Sequence, residues 1–279
     1  MKIRIAKILI YLLFNWFILS SLQTTAQTTQ IKVVDTSMVK NTLDINVETN
    51  YMKRYLWRGL LFGNDDVCQP ILGITYKKWS LNLSANINYV PKNVPKENYT
   101  KPVAFDEQDI EILYTDKIGK LDYEIKADMY IYFHQINAPS TAEFNVKAAY
   151  PIYKNFTLSS ENVFDINAYS GAYYNSTALD WAIIKGKMDI ELGLNVGMGN
   201  AAFNNTYFGG ETSGIFYWGT NAELKRHFKH FYARINGEYN FYNKEEIKLA
   251  TEINNTSNLS ITIGKDFSLK LPKKKYIKK

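Results

Sequence analysis

The chain has few of the residues on which most enzyme chemistry and covalent bracing depend. Cys68 is the single cysteine, so no intramolecular disulfide is available and a catalytic thiol has no supporting context. Of the three histidines, His227 and His230 stand in a short basic stretch with no acid or thiol close in sequence, which points to a solvated turn and not to a metal site. Phosphate-cradling glycine-rich loops and Cys/His clusters are missing, so no metal, cofactor or catalytic residue is expected. Long apolar runs are scarce too. Residues 8–19 form the one such run, short of the roughly 20 residues that a membrane-spanning helix needs. No helix-period segment follows it.

A surplus of one charge sign is also less than it first looks. The net charge is +6, but Lys2, Arg4 and Lys7 supply three of those positives and the lysines from Lys270 onward supply six, which leaves −3 for residues 27–269. The body of the chain is mildly acidic, and nucleic acid is excluded as a partner suggested by the high pI. The three basic residues, the apolar run and the small residues up to Ala26 read as a cleavable secretory signal over 1–26. We divide the rest into a periplasmic N-terminal segment 27–40, a body 41–269 and a basic tail 270–279. Cys68 does not follow the cleavage site, so it is no lipoprotein anchor.

What the chain has in abundance is alternation. From Trp79 to Tyr89 every odd position is apolar or aromatic and every even one is Ser or Asn. A period of two sends successive side chains to opposite faces of a strand, one apolar and one polar. Eleven residues exceeds the roughly 5–6 usual in soluble sheets and matches the roughly 9–11 of a tilted strand crossing a bilayer. With a tilt near 40°, the terminal aromatics lie about 25 Å apart along the membrane normal, the height of the apolar band of an outer-membrane barrel.

The unit recurs. Leu43 to Tyr51, Gln69 to Lys77, Ile110 to Tyr114, Leu121 to Ile131, Ala142 to Tyr150, Met188 to Met198, Phe216 to Leu224, Phe231 to Phe241 and a strand opening at Leu259 all alternate. Pro70 confines the start of the second to a strand end. Two strands, over 156–164 and 174–184, show a slipped alternation that suggests a bulge or a shifted boundary. The total is twelve, and short connections alternate with long ones rich in Asn, Gly, Thr and Pro. The expected fold is all-β, a transmembrane antiparallel up-and-down barrel in a bacterial outer membrane, with short turns and both termini in the periplasm. Its partners are outer-membrane lipids, the barrel-assembly machinery and small solutes.

On this reading the polar face lines the lumen. It presents Asp44, Glu48, Asp109, Glu111, Asp122, Glu124, Asp128, Glu143, Asp189, Glu191, Glu223 and Glu238 against Lys126, Lys147 and Arg234. Carboxylate rings in a wet pore favour cations. Because Ser and Asn line the Trp79 strand, we expect the acid on the side opposite it. The function expected is passive diffusion of small, preferentially cationic or neutral solutes. The alternatives are a sealed structural or adhesion barrel, and a lipid-modifying enzyme, for which His134 at the outer rim lacks the neighbouring serine.

Two segments carry resemblances. Thr262-Ile-Gly264-Lys-Asp-Phe267-Ser-Leu269 resembles the C-terminal insertion signal of barrel proteins, although a lysine tail follows it. Tyr55-Leu-Trp57-Arg58-Gly59, then Gln69-Pro70 and the Trp79 strand, resembles the opening of the TorF-type porin family, departing from it at Leu60-Leu61-Phe62. The resemblance implies a small porin-like barrel. Physically, Arg58 is placed to bridge carboxylates near the mouth while Gly59 permits a tight bend, or Arg58 merely positions a loop.

Overall fold

A computed structural model describes residues 41–63, 66–89, 103–133, 139–243 and 255–272. The proposed signal, the segment 27–40, His134 and residues 273–279 lie outside the described residues. The strands are β1 (Thr42–Met52), β2 (Tyr55–Trp57), β3 (Leu60–Gly63), β4 (Val67–Tyr76), β5 (Trp79–Tyr89), β6 (Val103–Ile118), β7 (Leu121–Tyr132), β8 (Thr141–Tyr153), β9 (Phe156–Asp165), β10 (Tyr173–Lys185), β11 (Met188–Gly199), β12 (Gly214–His227), β13 (Tyr232–Tyr242) and β14 (Asn255–Lys270). One short helix, α1 (Ala201–Phe208), lies between β11 and β12.

Twelve of these strands close on themselves, all antiparallel, from β1 through β4 and its successors to β14 and back to β1. The closing seam runs in register from Thr42 opposite Lys270 to Met52 opposite Ser260. β2 and β3 form a separate small hairpin. The alternation read from the sequence sorts residues between the two faces. Val47, Ile112, Leu194, Ile235 and Ile263 are exposed on the outside, while Asn145, Asn240 and Thr262 are buried inside. Such a continuous apolar exterior is unfavourable in water and matched to lipid, so this is an outer-membrane barrel. Aromatic residues band both rims: Trp79, Tyr150, Tyr153 and Phe156 at the end with short turns, Tyr51, Phe164, Trp218 and Phe241 at the other.

The short turns explain themselves locally. Lys77, Gly119, Lys154 and Gly186 have φ between 44° and 66°, the left-handed conformation that a two-residue hairpin turn requires at its first position. A four-residue turn joins β12 to β13 at the same end, and the five connections at the other end and the stretch between β1 and β4 are longer, so residues 41 and 271 share the short-turn end.

Four details of the sequence reading are corrected. Strand boundaries move outward by one to four residues at most of the shifted ends and by seven at the start of β6, which begins at Val103 and not Ile110; the second barrel strand, expected at Gln69 to Lys77, is Val67–Tyr76. Pro70 sits inside it, not at its start, and the β4–β5 ladder passes from Cys68 opposite Ile87 to Ile71 opposite Ser84 around the missing N–H. β9 and β10 pair from Tyr173 opposite Phe164 to Trp181 opposite Phe156 with no bulge, and the register shift that β9 does meet lies on its other edge, between Pro151 and Tyr153 of β8. Their pattern slips because the lipid-facing side carries Ser160, Asn162, Asn175 and Thr177. Asn175 Nδ2 donates to Ser160 Oγ at 3.1 Å and Asn162 Oδ1 at 3.0 Å, and the Tyr173 hydroxyl donates to the same Asn162 oxygen at 2.8 Å. Polar groups facing lipid are tolerable only when satisfied in this way. Finally, α1 is a helix where none was expected.

Candidate functional site: the occupied barrel mouth

The β2–β3 hairpin folds into the barrel at its long-loop end. Trp57 pairs with Leu60, and the two residues between them form the turn, Arg58 with φ 49° and Gly59 with φ 72°. Positive φ at both central positions is the type I′ pattern, which normally selects Asn, Asp or Gly at the first. Gly59 is required twice over: its φ is left-handed, and a Cβ there would overlap the Tyr217 ring. The Tyr242 hydroxyl donates to the Gly59 carbonyl at 3.0 Å, tying the hairpin tip to β13.

An arginine is the unexpected choice at that tip, and its contacts account for it. Arg58 Nη1 donates to Glu143 Oε1 at 2.7 Å, and Nη2 donates to Oε2 of the same carboxylate. The guanidinium carbon lies 4.0 Å from the Trp57 ring centroid and 4.8 Å from that of Tyr174. Arg58 is 5% exposed and Glu143 1%. Burial works against the guanidinium charge, but the Glu143 carboxylate with Tyr130 more than compensates, so Arg58 titrates even higher than usual and stays charged.

Trp57 extends the contact to the far side of the mouth. Its ring meets Tyr130 edge-on at 6.3 Å, stacks on Phe203 at 6.3 Å and tilts against Tyr207 at 5.0 Å. Phe203 and Tyr207 come from α1. Asn200 caps that helix by accepting from the Phe203 N–H at 2.8 Å, and Gly209 ends it in the left-handed conformation. Phe203 in turn stacks on Phe216 at 5.8 Å. A bulge between Gly197 and Met198 shifts the β11–β12 register, and Phe216 and its neighbour Tyr217 are both fully buried. An apolar cluster of Leu60, Tyr174, Phe203, Phe216, Tyr217 and Tyr242 therefore fills the mouth, where a soluble barrel would carry it along its length.

Below the hairpin the inner face is polar. The expected lumen residues Asp44, Glu48, Glu111, Glu124, Lys126, Asp128, Glu143, Glu191, Arg234 and Glu238 all sit on inward positions of their strands. Two clusters form. On β6–β8, Lys126 Nζ lies 2.9 Å from Asp128 and 3.6 Å from Glu111, and Asn145 donates to Asp128. Asp109 Oδ1 and Asp128 Oδ1 are buried without a hydrogen bond. On the other wall, Arg234 reaches Glu48 at 3.2 Å and Glu223 at 3.8 Å, and the Tyr232 hydroxyl donates to Glu48. Asn240 donates to Glu238 at 2.7 Å.

Two expectations change here. The acid was placed opposite β5, yet Ser84 donates to Asp109 at 3.0 Å and Asn82 to Glu111 at 3.1 Å, so the neutral strand directly serves the carboxylates of its neighbour β6. His227, with no acid close in sequence, does have an acidic partner in space, Asp189 Oδ2 at 2.8 Å, supplied by the neighbouring strand β11. Among the described residues, no group of three or more His, Cys, Asp or Glu is arranged to hold a metal ion.

No family model matches the chain, and no curated protein matches it. Among solved structures, a KdgM porin is 7% identical, with 80% of this chain and 99% of that one covered at a TM-score of 0.49. A NanC porin is 10% identical, with 82% and 100% covered at 0.48. An outer membrane channel from Pseudomonas putida F1 is 8% identical, with 81% and 94% covered at 0.43. All three scores fall below one half, and the reading of function rests on the chain's own residues.

Proposed function

We propose that the protein is a narrow outer-membrane channel for passive diffusion of small, preferentially cationic or neutral solutes, with the Arg58 hairpin as its constriction. The observation that supports this is the inner face itself. A closed barrel carries inward carboxylates in excess over Lys117, Lys126, Lys147, Lys225 and Arg234 along its length, and a fixed negative lining lowers the entry barrier for cations and raises it for anions. In this reading Asp44, Glu48, Glu111, Glu124, Asp128, Glu191 and Glu238 line the path, with Lys126 and Arg234 as local counter-charges. Glu143 belongs to the constriction. The resemblance of the Tyr55-Leu-Trp57-Arg58-Gly59 segment to the TorF-type porin family fits, since that segment is the hairpin.

One observation favours the alternative of a sealed barrel: the hairpin, α1 and the aromatic cluster occupy the mouth. Planar-bilayer recording of the refolded protein decides. Single-channel steps with a reversal potential on the cation side in a KCl gradient are expected. A silent bilayer refutes the channel, and an anion-side reversal refutes the charge preference.

A further inference from the structure

The groups that hold the Arg58 guanidinium do not all belong to the hairpin. Trp57 does, but Glu143 is on β8 and Tyr174 on β10, both part of the barrel wall. Seen from the wall, the barrel mouth contains a pocket with a carboxylate that binds in a bidentate manner and a Tyr174 ring 4.8 Å from the bound cation, and the chain fills that pocket with its own side chain. Both features are selective. A planar guanidinium matches the two carboxylate oxygens and stacks on a ring, whereas an alkylammonium offers a point charge.

We propose that the pocket of Glu143 and Tyr174 is a receptor for the guanidinium group of a permeating solute, and that Arg58 is its tethered occupant. The proposal rests on the cation-preferring channel reading and supplies its solute class. One observation separates a receptor from a simple loop anchor. The hairpin has other anchors that do not involve Arg58: Leu56 and Leu60 are buried, and Gly59 is held by Tyr242 and packed against Tyr217. Removing the arginine side chain therefore vacates the pocket and leaves the hairpin seated beside it, with Trp57 still lining it.

A tethered group competes with an effective concentration of about millimolar. The wild-type pocket should accordingly resist dilute external guanidinium, and a pocket without Arg58 should not. The test is calorimetric titration of methylguanidinium into the full-length barrel in detergent micelles, with heat-modifiable gel migration confirming each variant as folded. Arg58→Ala should bind at least tenfold more tightly than wild type, butylammonium should bind it more weakly than methylguanidinium, and adding Glu143→Gln should abolish binding. Arg58→Lys, which keeps a cation in the pocket, gives a second route if the alanine variant does not fold: its weaker occupant should be displaced at lower methylguanidinium concentration than arginine is. Equal affinity of wild type and the Arg58 variants, or binding that survives Glu143→Gln, overturns the proposal. Binding without conductance would leave the receptor and sink the channel; conductance without binding would sink the receptor alone.

Discussion

Replacing Glu143 by Gln tests how the barrel mouth is held. The substitution keeps the side-chain shape but turns a doubly accepting anion into a neutral amide. Arg58 then retains its stacking on Trp57 and Tyr174, of the order of 0.5–2 kcal/mol, and loses its counter-charge in a site where both partners are almost wholly excluded from solvent. Removing one partner of a buried pair costs about 3–5 kcal/mol, because the remaining charge stays uncompensated. The hairpin has a cheaper escape than global unfolding, since it can leave the mouth and hydrate Arg58. The barrel ladders do not pass through it. The penalty should appear as local opening: at about 3 kcal/mol, the hairpin's open population rises on the order of a hundredfold. Hydrogen exchange at the amides of Leu56, Trp57 and Leu60 measures this directly, and gel migration of the folded barrel should not change. Arg58→Ala in the same background should restore part of the protection, because the stranded charge is gone. Unchanged exchange in Glu143→Gln would refute the idea that a stranded Arg58 charge unseats the hairpin.

Gly59→Ala should undock the hairpin, whereas Gly119→Ala, at φ 64° with open space around it, should cost only the strain of about 1 kcal/mol; thermal migration and hairpin exchange distinguish the two. Asp128→Asn removes a carboxylate whose Oδ1 has no hydrogen bond, and should move the reversal potential toward zero in a salt gradient; an unchanged potential removes Asp128 from the conduction path. Asn175→Ala deprives Ser160 and Asn162 of their shared donor on the lipid-facing side and should lower stability by about 1–3 kcal/mol in urea unfolding, and a neutral result would show that lipid-side polar groups find other partners.

The barrel was legible because period two is a local property. Each residue from Trp79 to Tyr89 announces its face regardless of what lies beyond the sheet. β9 and β10 defeated the same rule, because Ser160 and Asn175 face outward and answer each other's hydrogen-bonding needs across the ladder, something visible only once the register is known. The Arg58-Gly59 pair could be read as a tight bend with a charge, but its partner Glu143 stands on a strand far along the chain. The same separation hid Asp189 from His227 and placed the acid on the wrong side of β5. Helix α1 had a readable cap in Asn200 and a readable stop in Gly209, yet its eight residues lack an apolar stripe, so no periodicity marked it.

The seam between β1 and β14 sets the order in which the wall can be built. Every other barrel pairing joins strands that follow one another along the chain, apart from the small hairpin between β1 and β4, whereas Asp44 and Ser268 meet across 224 residues. Joining them first would cost about 5 kcal/mol of chain entropy, and stepwise addition of hairpins spreads that cost over eleven shorter closures. Until β14 arrives, β1 and β13 both present unpaired backbone edges ready to join any passing strand. A chain truncated before Asn255 would accordingly be a curled sheet with two raw margins and not a smaller barrel.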